Sequence, residues 1–321
     1  MDSQIDQITI RDNSIYTIVD GPAWEKAEAN ANKLGGNLVT INNEEENYFI
    51  FENYIYSDPN PGSNGYVRNS TYPGYWIGIT NKENNDIYKW SSSEKVSFTK
   101  WANGESSPPP FTNSYPDHSG TNYGFYRYDL RGDWWIYEDG ERSMGGVKDQ
   151  TQGIAEIPFI QRGDSAYVVV EGPTWEEAEA NANKLGGHLV TINDAEENQW
   201  LVDNFPNEPN WYTYWIGLND AKEENTFQWS SGENFIYSNW RPTSGPNRDP
   251  EDKSSLGASY VEFQVNDLNE SKAGQWNDHP PNHPNSPYGI AEIKITEPEP
   301  SKDVLFSSRL LEADGITEAS G

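Results

Sequence analysis

Two stretches in the second half of the chain concentrate the side-chain oxygens that hard cations bind. One is Ser244-Gly245-Pro246-Asn247-Arg248-Asp249-Pro250-Glu251-Asp252, and the other is Gln275-Trp276-Asn277-Asp278. Calcium takes about six to eight oxygen ligands from carboxylates, amides and carbonyls, so this composition suits it. The same residues also suit a solvated loop, where Asp and Asn side chains bond nearby backbone to make turns. Other constellations are poorer. His279 and His283 have a spacing seen in zinc pairs, but they sit among prolines without further soft ligands. Glu44-Glu45-Glu46 and Glu196-Glu197 stand where helices are expected to begin, and acids there complement the helix dipole. Capping explains them better than catalysis. There is no Ser/His/acid order, phosphate-cradling glycine loop or nucleophile elbow, and nothing singles out a glycosidase pair among the 51 acidic residues. The chain does not read as an enzyme.

The elements that must position these oxygens come from a chain of 321 residues, enough for about two ordinary domains. With 13 Trp, 19 Tyr and 11 Phe against 2 Met, it can bury a sizeable aromatic core, so wholesale disorder is ruled out. The 51 acidic and 22 basic residues leave a net charge of −29. Such a surface repels phosphate backbones and anionic lipid heads and attracts divalent cations. Nucleic acid is not an expected partner. No run approaches the roughly 18 apolar residues of a membrane span, so membrane insertion is not expected either. Met1-Asp2-Ser3-Gln4 opens without the basic and apolar regions of an ordinary signal peptide. The absence of cysteine excludes disulfides, thiol catalysis, zinc–thiolate sites and iron–sulfur clusters.

One unit is written twice. Residues 21–47 return at 172–198 with 22 of 27 positions identical and an offset of 151. Tyr75-Trp-Ile-Gly-Ile79 returns as Tyr214-Trp-Ile-Gly-Leu218, Trp90 pairs with Trp229, Trp101 with Trp240, and Gly153-Ile-Ala-Glu-Ile157 returns at 289–293. Copies this long are tandem globular domains rather than solenoid repeats. Each opens with a short strand, Ser14–Val19 or Ser165–Val170. A helix follows, started by Gly-Pro and ended by Leu-Gly-Gly, as Pro in a first turn and Gly just past the end require. Trp175, Ala178, Ala182 and Leu185 share one face of it. A second helix starts at the capping patterns Asn43-x-x-Glu46 and Asp194-x-x-Glu197. Short aromatic strands and long Pro/Gly/Asn-rich loops make up the rest. The class is α+β, with two helices beside antiparallel sheets in each copy.

Several motifs in order, Trp175-Glu-Glu-Ala-Glu-Ala180, Leu185-Gly-Gly-His-Leu-Val-Thr-Ile192, Trp215-Ile-Gly-Leu218, Gly274-Gln-Trp-Asn-Asp278 and Ile290-Ala-Glu-Ile293, resemble the C-type lectin-like domain. The resemblance covers nearly all of 12–157 and 165–295. It implies a long ligand-binding loop and a calcium ion whose shell is completed by two sugar hydroxyls. On that resemblance the metal ligands would be Asn247, Glu251, Asp252, Asn277 and Asp278, and sugar contacts would come from Asn247, Glu251, Asn277 and Asp278. Trp276 is expected in the core, anchoring the strand. Gly245 departs from the family, standing where the first Glu of Glu-Pro-Asn would be.

The first copy departs further. Trp101-Ala-Asn-Gly-Glu105 lacks the Pro-Asn, Tyr115-Pro116-Asp117 keeps only part of Gln-Pro-Asp, and Asp133-Trp134-Trp135-Ile136 replaces Trp-Asn-Asp. Its ion site is expected to be degenerate. Tyr123, Phe125, Tyr126 and Trp135 are either core or sugar-stacking surface. The family closes its domain with a disulfide, whereas here the corresponding places are Ala31 and Ala155 in one copy and Ala182 and Ala291 in the other.

The expectation is therefore two tandem domains, 12–158 and 164–295, followed by an acidic Pro-containing linker and tail, 296–321. Function would be calcium-dependent recognition of a carbohydrate or glycoprotein in cell-surface adhesion, in an extracellular or cell-surface setting. The alternative is a protein-binding adhesin module in which calcium is absent or only structural. The tail carries a short apolar stripe, Asp303–Glu312, which fits a frayed end, a docking helix, an export signal or part of a larger surface assembly.

Overall fold

The computed structural model of the chain describes residues 8–55, 74–83, 87–101, 122–127, 132–138, 152–205, 213–242, 260–265, 273–281 and 287–295. The first copy contains β1 (Thr9–Arg11), β2 (Ser14–Asp20), α1 (Trp24–Lys33), β3 (Asn37–Leu38), α2 (Glu44–Ile50), β4 (Gly74–Thr80), β5 (Lys89–Trp90), β6 (Asn122–Arg127), β7 (Trp134–Glu138) and β8 (Gln152–Pro158). The second repeats them as β9 (Ile160–Arg162), β10 (Ser165–Glu171), α3 (Trp175–Lys184), β11 (His188–Leu189), α4 (Ala195–Asn204), β12 (Thr213–Asn219), β13 (Gln228–Trp229), β14 (Tyr260–Gln264), β15 (Trp276–His279) and β16 (Tyr288–Lys294). Each copy makes an eight-stranded sheet, with main orders β1-β2-β8-β4-β6-β7 and β15-β14-β12-β16-β10-β9.

Among the described residues the named strands pair antiparallel except at one place in each sheet. β4 runs parallel to β8 and β12 parallel to β16, where the strand of the Trp-Ile-Gly motif lies beside the last strand of its copy. Short edge strands β1 and β9 were not visible in the hydrophobic pattern. They are three residues long and exist by pairing with β2 and β10.

The helices end as the sequence implies and begin slightly differently. Trp24 and Trp175 are the first helical residues, so Pro22 and Pro173 lie two positions ahead of the first turn rather than inside it. Thr174 caps α3 by accepting the Glu177 N–H, whereas Ala23 has no side-chain oxygen to offer α1. Asn43 and Asp194 cap α2 and α4 as expected, each accepting the N–H three residues on. The apolar face of α3 is buried as its spacing requires, and Ala31, Ala155, Ala182 and Ala291 are all fully buried.

Two aromatic cores hold the outer strands. Trp134 and Trp276 are completely buried, and each is ringed edge-on by three aromatic side chains. Trp90, Phe98 and Trp101 surround Trp134 at 5.6–5.7 Å between ring centres. Trp229, Tyr237 and Trp240 surround Trp276 at 5.7–5.8 Å. Burying one such indole contributes about 4–6 kcal/mol as an upper bound, so these rings replace much of what a covalent closure would give.

Candidate functional site

The strand that presents Asn277 and Asp278 is fixed from three sides. Trp276 donates its indole N–H to Asn198 Oδ1 on α4 at 2.9 Å. Its backbone N–H and C=O are latched to Asn239 O and Arg241 N, both at 2.9 Å. Antiparallel pairing with β14 then sets Asn277 opposite Glu262, Asp278 opposite Val261 and His279 opposite Tyr260.

Successive side chains of a strand point to opposite faces. Asn277 therefore shares a face with Glu262 and His279, while Asp278, only 7% exposed, turns with Trp276 toward the other face. The Asn277 amide oxygen accepts from Arg241 Nη2 at 3.3 Å, and its amide nitrogen lies against His279 Nε2. The same imidazole nitrogen is 3.1 Å from Glu262 Oε1. Farther along the edge, Tyr260 donates its O–H to Glu176 Oε1 at 2.8 Å. Burial, with Glu176 beside it, pushes that phenol up to about 12.

Of the five residues assigned by resemblance, Asn277 and Asp278 thus sit on β15, and Asn247, Glu251 and Asp252 lie outside the described residues. Among the described residues no three acidic or histidine side chains converge as a metal cluster. The edge nevertheless brings together two groups that sequence reading passed over, Glu262 and Arg241, with His279, which was considered there only as half of a zinc pair. The signal for Glu262 was present, because a lone acid in Tyr260-Val-Glu-Phe-Gln264 must face away from Val261 and Phe263. Its partner could not be read, since strand register is not written locally. The zinc reading for His279 and His283 gains nothing at His279, whose neighbours here are a carboxylate and an amide. His283 lies outside the described residues.

In the first copy the corresponding pair is apolar. Trp134 donates to Asn47 Oδ1 at 2.8 Å, as Trp276 does to Asn198. Phe125 then opposes Trp135 where Glu262 opposes Asn277. Tyr123, Phe125 and Tyr126 are buried, so they are core and not a sugar-stacking surface; both faces of β6 are covered. Trp135 is half-buried. Glu105 and Tyr115-Pro116-Asp117 lie outside the described residues.

Acids raised by burial lie inside the scaffold. Tyr16 O–H faces Glu156 Oε1 at 3.0 Å and Glu46 Oε1 at 3.3 Å. Burial raises both carboxyls above the usual range, and Tyr16 is raised by burial and by the two glutamates. Tyr167 repeats this arrangement, donating to Glu197 Oε1 at 2.9 Å with Glu292 Oε1 at 3.5 Å. There Arg162 reaches Glu197 at 3.3 Å and Lys294 stands 3.7 Å from Glu292. The other glutamate oxygens take backbone N–H groups of residues 40, 42, 191 and 193, tying helix start to last strand. These groups lock the fold together.

Comparison with known proteins agrees with the architecture. The family model "Lectin C-type domain" matches residues 21–123 and 171–287. A perlucin-like protein of Mytilus galloprovincialis is 34% identical over 100 residues, covering 30% of this chain and 64% of that protein. C-type mannose receptor 2 of Rattus norvegicus is 25% identical over 243 residues, covering 68% of this chain and 14% of the receptor. The chain thus spans less than two thirds of either relative. Among solved structures, the cow C-type carbohydrate-recognition domain of CD23, crystallised with a GlcNAc2Man3 oligosaccharide, is 27% identical with a TM-score of 0.34, covering 43% of this chain and 94% of that one. The mouse scavenger receptor C-type lectin carbohydrate-recognition domain is 25% identical with a TM-score of 0.35, covering 43% and 96%. The family is one of binding domains rather than enzymes. With both copies matched over most of the chain, this protein belongs to the C-type lectin domain family.

Proposed function

We propose that this protein recognises carbohydrate, free or on a glycoprotein, in a calcium-dependent way through the β14–β15 edge of its second copy. Recognition would serve adhesion outside the cell or at its surface, with this chain as part of a larger assembly. The units are taken as 12–158 and 164–295, with 296–321 as linker and tail. The observation that carries the reading is the cross-strand pair Glu262–Asn277, which sets carboxylate and amide oxygens side by side beyond a rigid tryptophan anchor.

The donor chemistry fits calcium. Glu262 and Asn277 offer hard oxygens on one face of the edge, Asp278 follows on the same strand with its side chain turned to the other face, and Asn247, Glu251 and Asp252 would add others from the loop before β14. When bound, the ion would accept two vicinal sugar hydroxyls into its shell. Asn247, Glu251, Asn277 and Asp278 would orient that sugar by hydrogen bonds, with Asp252 serving the metal alone. Arg241 holds the Asn277 amide, and His279 braces Glu262. The first copy acts as scaffold or contact surface. Among the described residues no helix is long and apolar enough to cross a membrane.

A glycan array with calcium and with EDTA tests this directly. Expected is sugar binding that EDTA abolishes and a simple monosaccharide competes away. Binding to a deglycosylated protein that survives EDTA would overturn it in favour of a protein-binding adhesin module. Absence of heat on titrating calcium would remove the ion.

A further inference from the structure

The two copies are joined through a shared core. Ile15, Trp24 and Leu34 of the first and Val168, Trp175 and Leu185 of the second belong to one continuous buried cluster. β8 ends at Pro158 and β9 begins at Ile160. The single residue between them, Phe159, is buried in that cluster and donates its N–H to Asn13 O at 3.0 Å. A connection of one buried, hydrogen-bonded residue has no length over which to swing, unlike a flexible linker.

The contact is reciprocal but not symmetric. Gly35, just past α1, has φ +88°, and a Cβ there would lie 2.2 Å from the Val169 carbonyl oxygen and 2.8 Å from Val168 Cγ1. Both atoms belong to the other copy. Gly186, just past α3, has φ +76°, and its Cβ would meet only the flexible end of Ile8, Cδ1, at 3.3 Å. Between the two helix ends, Thr17, Asp20, Asn30, Leu34 and Gln152 of the first copy and Lys184 of the second line a cavity of about 310 Å³.

We infer that the two copies form one rigid body, in which the end of the first helix of each copy is an interaction surface whose partner is the other copy. Strand order carries the consequence. β9 and β10 lie at the joint, and β15 lies five strands away at the far edge of the sheet, about 24 Å at about 4.8 Å per strand. β7 holds the matching far edge in the first copy. Granting the ligand edge proposed above, the chain therefore holds that single edge in a fixed place relative to the first copy, whose own far edge pairs Phe125 with Trp135.

Since the chain has no cysteine, two introduced ones take spin labels cleanly. Tyr48→Cys and Ile236→Cys fall on side chains 58% and 76% exposed, one in each copy. Pulsed electron paramagnetic resonance on the full chain, without calcium or sugar, is expected to give one narrow distance distribution. Gly35→Ala should broaden it and lower the melting temperature more than Gly186→Ala does. Both variants carry the same left-handed backbone strain, but only the first drives a methyl into the main chain of the other copy. A broad distribution in the otherwise unmodified chain, or equal effects of the two alanines, would overturn the inference. Because no ligand is present, either result stands apart from the fate of the calcium reading.

Discussion

The far edges β6–β7 and β14–β15 are the same structure carrying different chemistry. In both, a fully buried tryptophan donates to an asparagine of the second helix and is ringed by three aromatic side chains. One residue farther on, the first copy pairs Trp135 with Phe125 and the second pairs Asn277 with Glu262. The scaffold has been kept twice, whereas the oxygens appear once. Such a difference separates what the fold needs from what it leaves free to vary, because the tryptophan is kept whichever pair follows it.

The largest effect that could break this comparison is removal of the anchors. Trp134→Ala and Trp276→Ala are each expected to cost about 3–5 kcal/mol in denaturant unfolding. Markedly unequal losses would mean the two scaffolds are not equivalent. Next comes calcium itself. At a free concentration about a hundredfold above the dissociation constant, one site should stabilise the second copy by about 2.7 kcal/mol. Thermal melts should lose that shift in Asn277→Ala and in Asp278→Ala and keep it in Trp135→Ala.

Removing the acceptor of the indole N–H is a smaller test. Asn47→Ala and Asn198→Ala should each cost about 1–3 kcal/mol, the penalty for a buried donor left unpaired. Similar values in equilibrium unfolding would sharpen the equivalence, and a null effect in either copy would break it there.

The smallest effect concerns acid. Burial raises Glu46 and Glu156 above the ordinary value of 4.5. A carboxyl with a higher pKa folded than unfolded binds more protons in the native state, so stability falls as pH rises from the ordinary value through the raised one. The first copy has two such carboxyls on Tyr16, and on Tyr167 burial raises Glu197 in the same way. Glu156→Gln should therefore flatten the pH dependence of unfolding across that range. Glu292→Gln should instead lose stability, since Ser165 Oγ and Lys294 would give up a charged acceptor. Unfolding followed from pH 5 to 8 would decide this.

Much of the fold was legible because its signals are local. The repeat, the helix ends at Gly35 and Gly186, the caps Asn43 and Asp194, and the buried face from Trp175 to Leu185 need only neighbouring residues to be read. Trp276 was legible as core for the same reason. What stayed hidden depends on pairing between distant residues. β1 and β9 exist through their neighbours, and Glu262 reaches His279 only because the β14–β15 register brings them together. Tyr123, Phe125 and Tyr126 were ambiguous because an alternating aromatic strand looks alike whether one face or both are covered. Glu46 and Glu197 were readable as helix-starting acids but not as bridges to Tyr16 and Tyr167, which lie 30 residues away in sequence.

The four buried alanines have a last consequence. Where a sulfur pair would clamp the first helix to the last strand, Ala31 and Ala155, and again Ala182 and Ala291, meet their surroundings with methyl groups. Folding of these residues therefore asks for no thiol oxidant and no disulfide isomerase. Its melting curve should be the same in dithiothreitol as in air, and the molecule can cross from a reducing to an oxidising environment without changing shape.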